Sequence, residues 1–372
     1  MFSMFFGSGN LVFPLVIGQT SADNYPVAAI GLVLTGVLVP FLGLVGIKTF
    51  KGNYSEFFAK MGKHMSWVIP LILLSLLGPF AVVPRCITVA HGSFSLIFSD
   101  ITLWQFSSVF CSIMFILCLD KNKIIPLVGA VLTPALLLSL AFIIYRGIVE
   151  APEIDPSTLS QGNIFFFSLE KAFMTMDLIA AFFFSSVVIY HIHSRLEHYG
   201  VPKESENTII VGALLIGATI LGSVYAAFVF LGSSYNGSFA GVTPEKYLAI
   251  IAFKTMGQYA APILCCAVVL ACLTTAVVLC SLFSEFILNL LGRGRKIYAL
   301  IISVALSFAV STYEFNGIAL VLSPILDALY PALIILTLLN IANRLWGYNY
   351  IKTPVWTVFA ISAAFVASDF MK

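Results

Sequence analysis

Eleven apolar stretches, each close to the length a helix needs to cross the hydrocarbon core of a bilayer, fill most of this chain. They run over 1–19, 26–47, 66–90, 103–119, 124–147, 165–190, 208–231, 258–288, 297–311, 316–339 and 353–370. Backbone in lipid must satisfy its own polar groups, and a helix does so within one segment. The pattern therefore predicts an all-α polytopic membrane protein with about eleven transmembrane helices. Composition agrees, because 60% of the residues are hydrophobic and only 10% charged, against roughly a quarter charged in a soluble domain.

The few charges report orientation. With the N-terminus in the cytoplasm, the inside loops carry thirteen basic residues: Lys48, Lys51, Lys60, Lys63, Lys121, Lys123, Arg195, Lys203, Arg293, Arg295, Lys296, Arg344 and Lys352. The outside segments carry four, Arg146, Lys246, Lys254 and Lys372. That asymmetry follows the positive-inside rule and predicts a cytoplasmic N-terminus. A net charge of +2 scattered over short loops forms no basic stripe, so no nucleic-acid partner is expected. The first run lacks a basic leader region and a small-residue cleavage site before Asp23-Asn24-Tyr25-Pro26, and is expected to stay in the membrane. The seven cysteines lie in apolar runs without CxxC spacing and are expected to pack as small buried hydrophobes.

Two of the runs are interrupted. The first contains Gly7-Ser8-Gly9-Asn10 inside Phe5–Pro14, where a membrane helix would otherwise be continuous. The sixth contains Thr175-Met176-Asp177, with an ionisable group in an apolar setting but no glycine or proline to mark a break. Interruptions at corresponding positions of two halves point to a secondary transporter's binding site. Runs one and six would be mates in a five-plus-five inverted repeat: helices 1–5 over 1–147, an external loop over 148–164, helices 6–10 over 165–339, and an accessory helix 11 over 340–372. Free N–H groups where a half-helix resumes, around Asn10, Leu11 and Val12, attract a carboxylate, and freed carbonyls hold a cation or ammonium. One site could then bind both ends of a zwitterion, with Gly7, Ser8, Gly9, Asn10, Leu11, Thr175, Met176 and Asp177 as candidate substrate contacts. Close helix packing is the alternative use of Gly7 and Gly9.

Further candidates come with plain structural alternatives. Thr274 and Thr275 could ligate a hard cation such as Na⁺ through their hydroxyls, or simply bond back to a carbonyl one turn earlier. Arg85, an intramembrane charge, is a gating or pathway candidate that could instead snorkel or pair with an acid. Asp177 could pair with Arg85, face an ammonium group or relay a proton. Asp327, between Pro324 and Pro331, could line the pathway or hydrogen-bond within a kinked helix. Glu285 could gate or pair with Arg293. His191 and His193 fall on different helix faces and read as a juxtamembrane loop rather than a metal pair. The stretch Tyr247-Leu248-Ala249-Ile250-Ile251 predicts a short helical lid in the external segment between runs seven and eight.

Four segments, Gly7–Pro14, Gly78–Arg85, Thr175–Asp177 and Leu270–Ala276, resemble in order and spacing the branched-chain amino acid:cation symporters of the BrnQ or LIVCS type. The resemblance implies the amino acid–polyamine–cation superfamily, with the inverted-repeat fold of the bacterial leucine transporter. It also implies import of leucine, isoleucine and valine across a bacterial-type inner (plasma) membrane by symport with Na⁺ or H⁺. The ion would lie between the first break and Thr274-Thr275, with backbone oxygens near Ser3 and Phe6 completing its shell, and Asn10 would contact substrate or ion. Relative to the family pattern the chain has a shorter stretch before the Phe-Phe-Gly motif and one helix fewer. No cofactor beyond the coupling ion is implied, and the oligomeric state is left open. An embedded enzyme would need a convergent nucleophile and base, and a channel would need charge rings or filter loops; neither pattern is present in the sequence.

Overall fold

In the first apolar run α1 (Ser8–Ser21) starts directly after Gly7 and turns through a 3₁₀ segment (Ala22–Asn24) into α2 (Tyr25–Val33), where Pro26 sits in the first turn. That position suits proline because the first-turn N–H groups have no helical partner to lose. The computed structural model describes residues 6–119, 133–198, 203–292 and 295–370. Within them α2 continues through a π-helical turn (Leu34–Leu38) into α3 (Val39–Thr49), followed by the short α4 (Tyr54–Ala59). Then come α5 (Met65–Ser75), a π turn (Leu76–Phe80) and α6 (Val82–Phe94), followed by α7 (Leu103–Leu119) and α8 (Thr133–Val149). The first residues of the apolar run at 124–147 fall outside the described residues.

The second half of the chain contains α9 (Gln161–Lys171), a 3₁₀ turn (Ala172–Thr175) and α10 (Asp177–His198). It continues with α11 (Lys203–Ser234), α12 (Tyr247–Leu291), α13 (Lys296–Ser311), α14 (Glu314–Trp346) and α15 (Lys352–Phe370). No strand occurs among the described residues. Among the described residues, five helical stretches are long and apolar enough to cross a membrane: Ser8–Thr49, Met65–Phe94, Thr208–Ser234, Cys265–Leu291 and Glu314–Trp346. Shorter apolar helices accompany them, so the chain is a multi-pass, all-helical membrane protein.

Three interior positions leave helical geometry. Gly78 adopts φ −88°, ψ −117° between α5 and α6, Gly257 adopts φ 69°, ψ −174° within α12, and Met176 is left-handed at φ 61°, ψ 21° between α9 and α10. The Gly257 bend separates Tyr247–Met256 from the long transmembrane part of α12. The apolar stretch expected to be helical is so, as this outlying piece. Tyr247 stacks on Phe239 with ring centroids 4.0 Å apart and donates its hydroxyl to Gln19 Oε1 at 2.9 Å. Glu245, in the 3₁₀ turn just before it, lies against Gly92 of α6. At the opposite end of the bundle, Phe50, Phe57, Phe58 and Phe182 form an edge-packed aromatic cluster, and Asn340 of α14 donates to the Phe57 carbonyl at 3.2 Å. Glu285 meets Lys296 at 3.8 Å, whereas Arg293 lies outside the described residues, as do the side chains of His191 and His193. Six cysteines are buried and Cys266 is exposed.

α1 and α11 touch backbone to backbone. A Cβ added at Gly18 would enter the Val229 carbonyl oxygen, and one at Gly232 would enter that of Leu15. Lipid gives no hydrophobic drive between helices, so such close approach of small residues supplies the packing energy. Gly212, in the same α11, has open space around it. Gly232→Ala is expected to cost about 1–3 kcal/mol through overpacking and to lower the thermal midpoint in detergent. Gly212→Ala is expected to leave it unchanged or raise it, because glycine inside a helix is worse than alanine by roughly 0.5–1 kcal/mol.

Candidate functional site

The start of α1 and the break between α9 and α10 meet at one point inside the bundle, and residues 1–5, which precede the first interruption, lie outside the described residues. A Cβ at Gly9 would stand 3.1 Å from the Met174 carbonyl oxygen and 3.1 Å from the Thr175 Cα, so only a glycine lets the start of α1 approach the turn before α10 this closely. Gly9 therefore serves close packing and the broken backbone together. Met176 takes the left-handed conformation that ends the 3₁₀ turn, and α10 resumes at Asp177. A carboxylate there sits at the positive end of the resumed helix dipole.

Asn10 ties the two breaks together. Its Oδ1 accepts the Gly7 N–H at 3.0 Å, capping α1, while its Nδ2 donates to Asp177 at 2.8 Å (Oδ1) and 3.0 Å (Oδ2). Tyr225 of α11 donates its hydroxyl to Asp177 Oδ2 at 2.5 Å and also accepts from Asn10 Nδ2. Asn10, Asp177 and Tyr225 are all buried. Burying a carboxylate without donors costs several kcal/mol, and these two side chains supply the donors. Among the three roles the sequence left open for Asp177, pairing with Arg85 does not occur in this conformation. Arg85 Nη1 donates instead to the Met174 carbonyl at 2.8 Å, and its Nε and Nη2 have no hydrogen-bond partner among the described residues.

Eight of the expected residues line one small cavity: Gly7, Ser8, Gly9, Asn10, Thr175, Met176, Asp177 and Thr275. Its volume is about 20 Å³, on a measure where one water needs roughly 10–15 Å³. The apolar remainder of its wall is Leu77, Val82, Ala180, Phe184 and Leu279. An occupant larger than a water or a bare ion requires these walls to part. Leu11 is buried outside the cavity wall, and Phe6 is buried with its ring 6.5 Å from that of Phe228. Ser3 lies outside the described residues.

Thr274 and Thr275 both donate their hydroxyl hydrogens to the Ala271 carbonyl at 2.9 Å, the back-bonding alternative foreseen for them. Such a hydroxyl keeps its lone pairs available to a cation. Thr275 turns its methyl toward Gly7, whose added Cβ would lie 3.5 Å away. Thr274 is absent from the cavity wall. Asp327 is half-buried in α14 and accepts from Ser323 one turn earlier at 3.3 Å, within electrostatic range of Glu170 and Lys171. It lies away from the cavity.

Tyr225 was not singled out in the sequence, although a lone phenol in the middle of an apolar helix is a usable signal, since a buried tyrosine hydroxyl normally needs a partner. Tyr330, fully buried in α14 and stacked on Phe173 at 4.7 Å, was missed for the same reason.

Removing one donor exposes the cost of the buried carboxylate. Tyr225→Phe is expected to destabilise the protein by about 1.5–3 kcal/mol, the worth of a hydrogen bond to a charged group. Adding Asp177→Asn should recover part of that loss, and thermal unfolding of the four proteins in a double-mutant cycle reads a coupling energy of about 1 kcal/mol or more.

Known proteins of similar sequence match along nearly the whole chain. The model of a family described as branched-chain amino acid transport protein matches residues 1–371. The branched-chain amino acid permease BrnQ of Corynebacterium glutamicum is 30% identical over 365 residues, covering 96% of this chain and 83% of that protein. A putative branched-chain amino acid carrier protein of Staphylococcus epidermidis is 28% identical over 372 residues, covering 92% and 80%. Another from Staphylococcus aureus is 27% identical over 401 residues, covering 99% and 86%.

Proposed function

We propose, given that this chain belongs to the family of branched-chain amino acid transport proteins, that it is a secondary active importer of leucine, isoleucine and valine. The family is one of transporters, not enzymes. In this reading the import is symport with Na⁺ or H⁺, driven by the ion gradient through alternating access. The observation that carries it is the meeting of the start of α1 with the break before α10 around a buried Asn10–Asp177–Tyr225 cluster, beside a cavity whose remaining wall is largely apolar. Interrupted helices are tolerated in a membrane where they line a binding site.

The zwitterionic head group would sit between the breaks, with its aliphatic side chain toward Leu77, Val82, Ala180, Phe184 and Leu279. The coupling ion would lie next to it, held as Na⁺ by the lone pairs of Thr274 and Thr275 with backbone oxygens of Ser3 and Phe6, or carried as H⁺ on Asp177. The scaffold would be the leucine-transporter-like fold, eleven helices with a five-plus-five inverted repeat and an accessory C-terminal helix. The excess of basic residues at one end of the bundle supports a cytoplasmic N-terminus in a bacterial plasma membrane.

Uptake of labelled leucine into proteoliposomes, with Na⁺ and H⁺ gradients imposed separately, tests the reading. Accumulation is expected under one inward gradient and not in its absence, with unlabelled isoleucine and valine competing. No accumulation under either gradient would sink the symport assignment. If Na⁺ is the driver, Thr275→Val should raise the Na⁺ concentration for half-maximal uptake by tenfold or more, and Thr274→Ala should also weaken it; unchanged Na⁺ dependence in both variants removes these threonines from the ion site. If H⁺ is the driver, Asp177→Asn should abolish accumulation while leaving leucine counterflow.

A further inference from the structure

Arg85 is fully buried in α6, and only one corner of its guanidinium is used. Nη1 is fixed to the Met174 carbonyl at 2.8 Å, at the very turn that interrupts the α9–α10 helix. Nε and Nη2 have no hydrogen-bond partner among the described residues. These two nitrogens form one edge of the planar group, and their parallel N–H bonds match the two oxygens of a carboxylate. An unpaired buried cation of this kind is costly, several kcal/mol per ion even after relaxation, so an arginine held this way points to an anionic partner that comes and goes.

Further observations mark the same place. The Tyr330 hydroxyl is buried with no side-chain partner among the described residues, within electrostatic range of Arg85 and facing the backbone of Leu178 and Ile179 in the first turn of α10. First-turn N–H groups and the helix dipole favour an anion. Phe13 covers the guanidinium, its centroid 5.4 Å from Cζ, and Phe173 stacks on Tyr330, which keeps water away. The rival cradle at the start of α1 has already lost one donor, because the Gly7 N–H is bonded to Asn10 Oδ1. Val82, one turn of α6 before Arg85, lines the cavity at the breaks, and the carbonyl that Nη1 holds belongs to Met174, one residue before the cavity-lining Thr175.

We propose that Arg85 is the receptor for the α-carboxylate of the amino-acid substrate, assisted by the Tyr330 hydroxyl and the first turn of α10. The inference rests on the reading of the chain as an amino-acid carrier and names the residue that makes it one. Arg85 selects amino acids over amines and alcohols of the same side chain. Asp177, of opposite charge and across the break, leaves the pair complementary to a zwitterion.

Isothermal titration of the purified protein with L-leucine and L-leucinol tests this, since leucinol keeps the ammonium and the side chain but replaces the carboxylate. The wild type is expected to favour leucine by tenfold or more. Arg85→Gln should weaken leucine binding about ten- to a hundredfold, the worth of a charged hydrogen-bonded pair, and change leucinol binding less than about threefold. Arg85→Lys, which keeps the charge without the fork, should fall between. Tyr330→Phe removes a hydroxyl with no side-chain partner among the described residues, so its thermal midpoint should change little while the leucine-to-leucinol preference drops about threefold or more. The last variant decides the matter should both Arg85 variants fail to fold. A preference ratio that stays at the wild-type value in the variants that fold, or an equal loss of both ligands, overturns the assignment of Arg85 alone. A wild type that binds leucine no better than leucinol overturns it as well, and one that binds neither leucine, isoleucine nor valine overturns the carrier reading with it.

Discussion

Interrupting a helix inside a low-dielectric interior releases N–H and C=O groups that cannot turn to water, and each must find a partner or cost several kcal/mol. The centre of this protein follows from that obligation. Asn10 caps α1 with its carbonyl oxygen and satisfies Asp177 with its amide, so a single side chain serves both interruptions. Arg85 takes the Met174 carbonyl left free by the second. Because Gly9 is wedged against Met174 and Thr175, neither break can move without disturbing the other's partners. Two interruptions that share their hydrogen bonds behave as one element.

That sharing suggests how motion would be distributed in a carrier. α1 and α11 are joined through carbonyls packed on Gly18 and Gly232, and Tyr225 of α11 reaches the carboxylate that starts α10. A body made of α1, α10 and α11 would move together. The cavity is bounded on its other sides by Leu77 and Val82 around the Gly78 bend and by Thr275 and Leu279 of α12. With room for about one water in the closed form, admission of an amino acid means separating those walls from the α1–α10–α11 body. The Gly257 bend lets the outlying segment of α12 lie over α6 and Gln19 while the rest of the helix crosses the bundle.

The membrane class and the first interruption were legible in the sequence because both rest on composition along a single segment: apolar length for the spans, and Gly7-Ser8-Gly9-Asn10 where α1 starts. The second break carried no such mark. Met176 adopts a left-handed backbone that glycine usually supplies, and it does so because the surrounding packing holds it there. Only Thr175 and Asp177 hinted at it. Partners drawn from distant segments were the least legible. Tyr225 and Tyr330 read as ordinary aromatics of apolar runs, and whether Arg85 faced lipid, an acid or a carbonyl depended on where Met174 fell in space. The hydroxyls of Thr274 and Thr275 were located by sequence, yet their orientation toward Ala271 is a property of the folded helix.

The division of labour at the site also bears on selectivity. The cavity draws its polar side chains from Ser8, Asn10, Thr175, Asp177 and Thr275, while Leu77, Val82, Ala180, Phe184 and Leu279 form an aliphatic and aromatic wall. A polar group left unpaired by the wrong ligand is penalised severely, whereas one methylene more or less against an apolar wall changes binding by only about 1–3 kcal/mol. A site built this way would be strict about the α-amino acid head group and lenient among branched aliphatic side chains. Leucine, isoleucine and valine differ only in what touches the lenient half, so a carrier with this wall would separate them by no more than that modest margin.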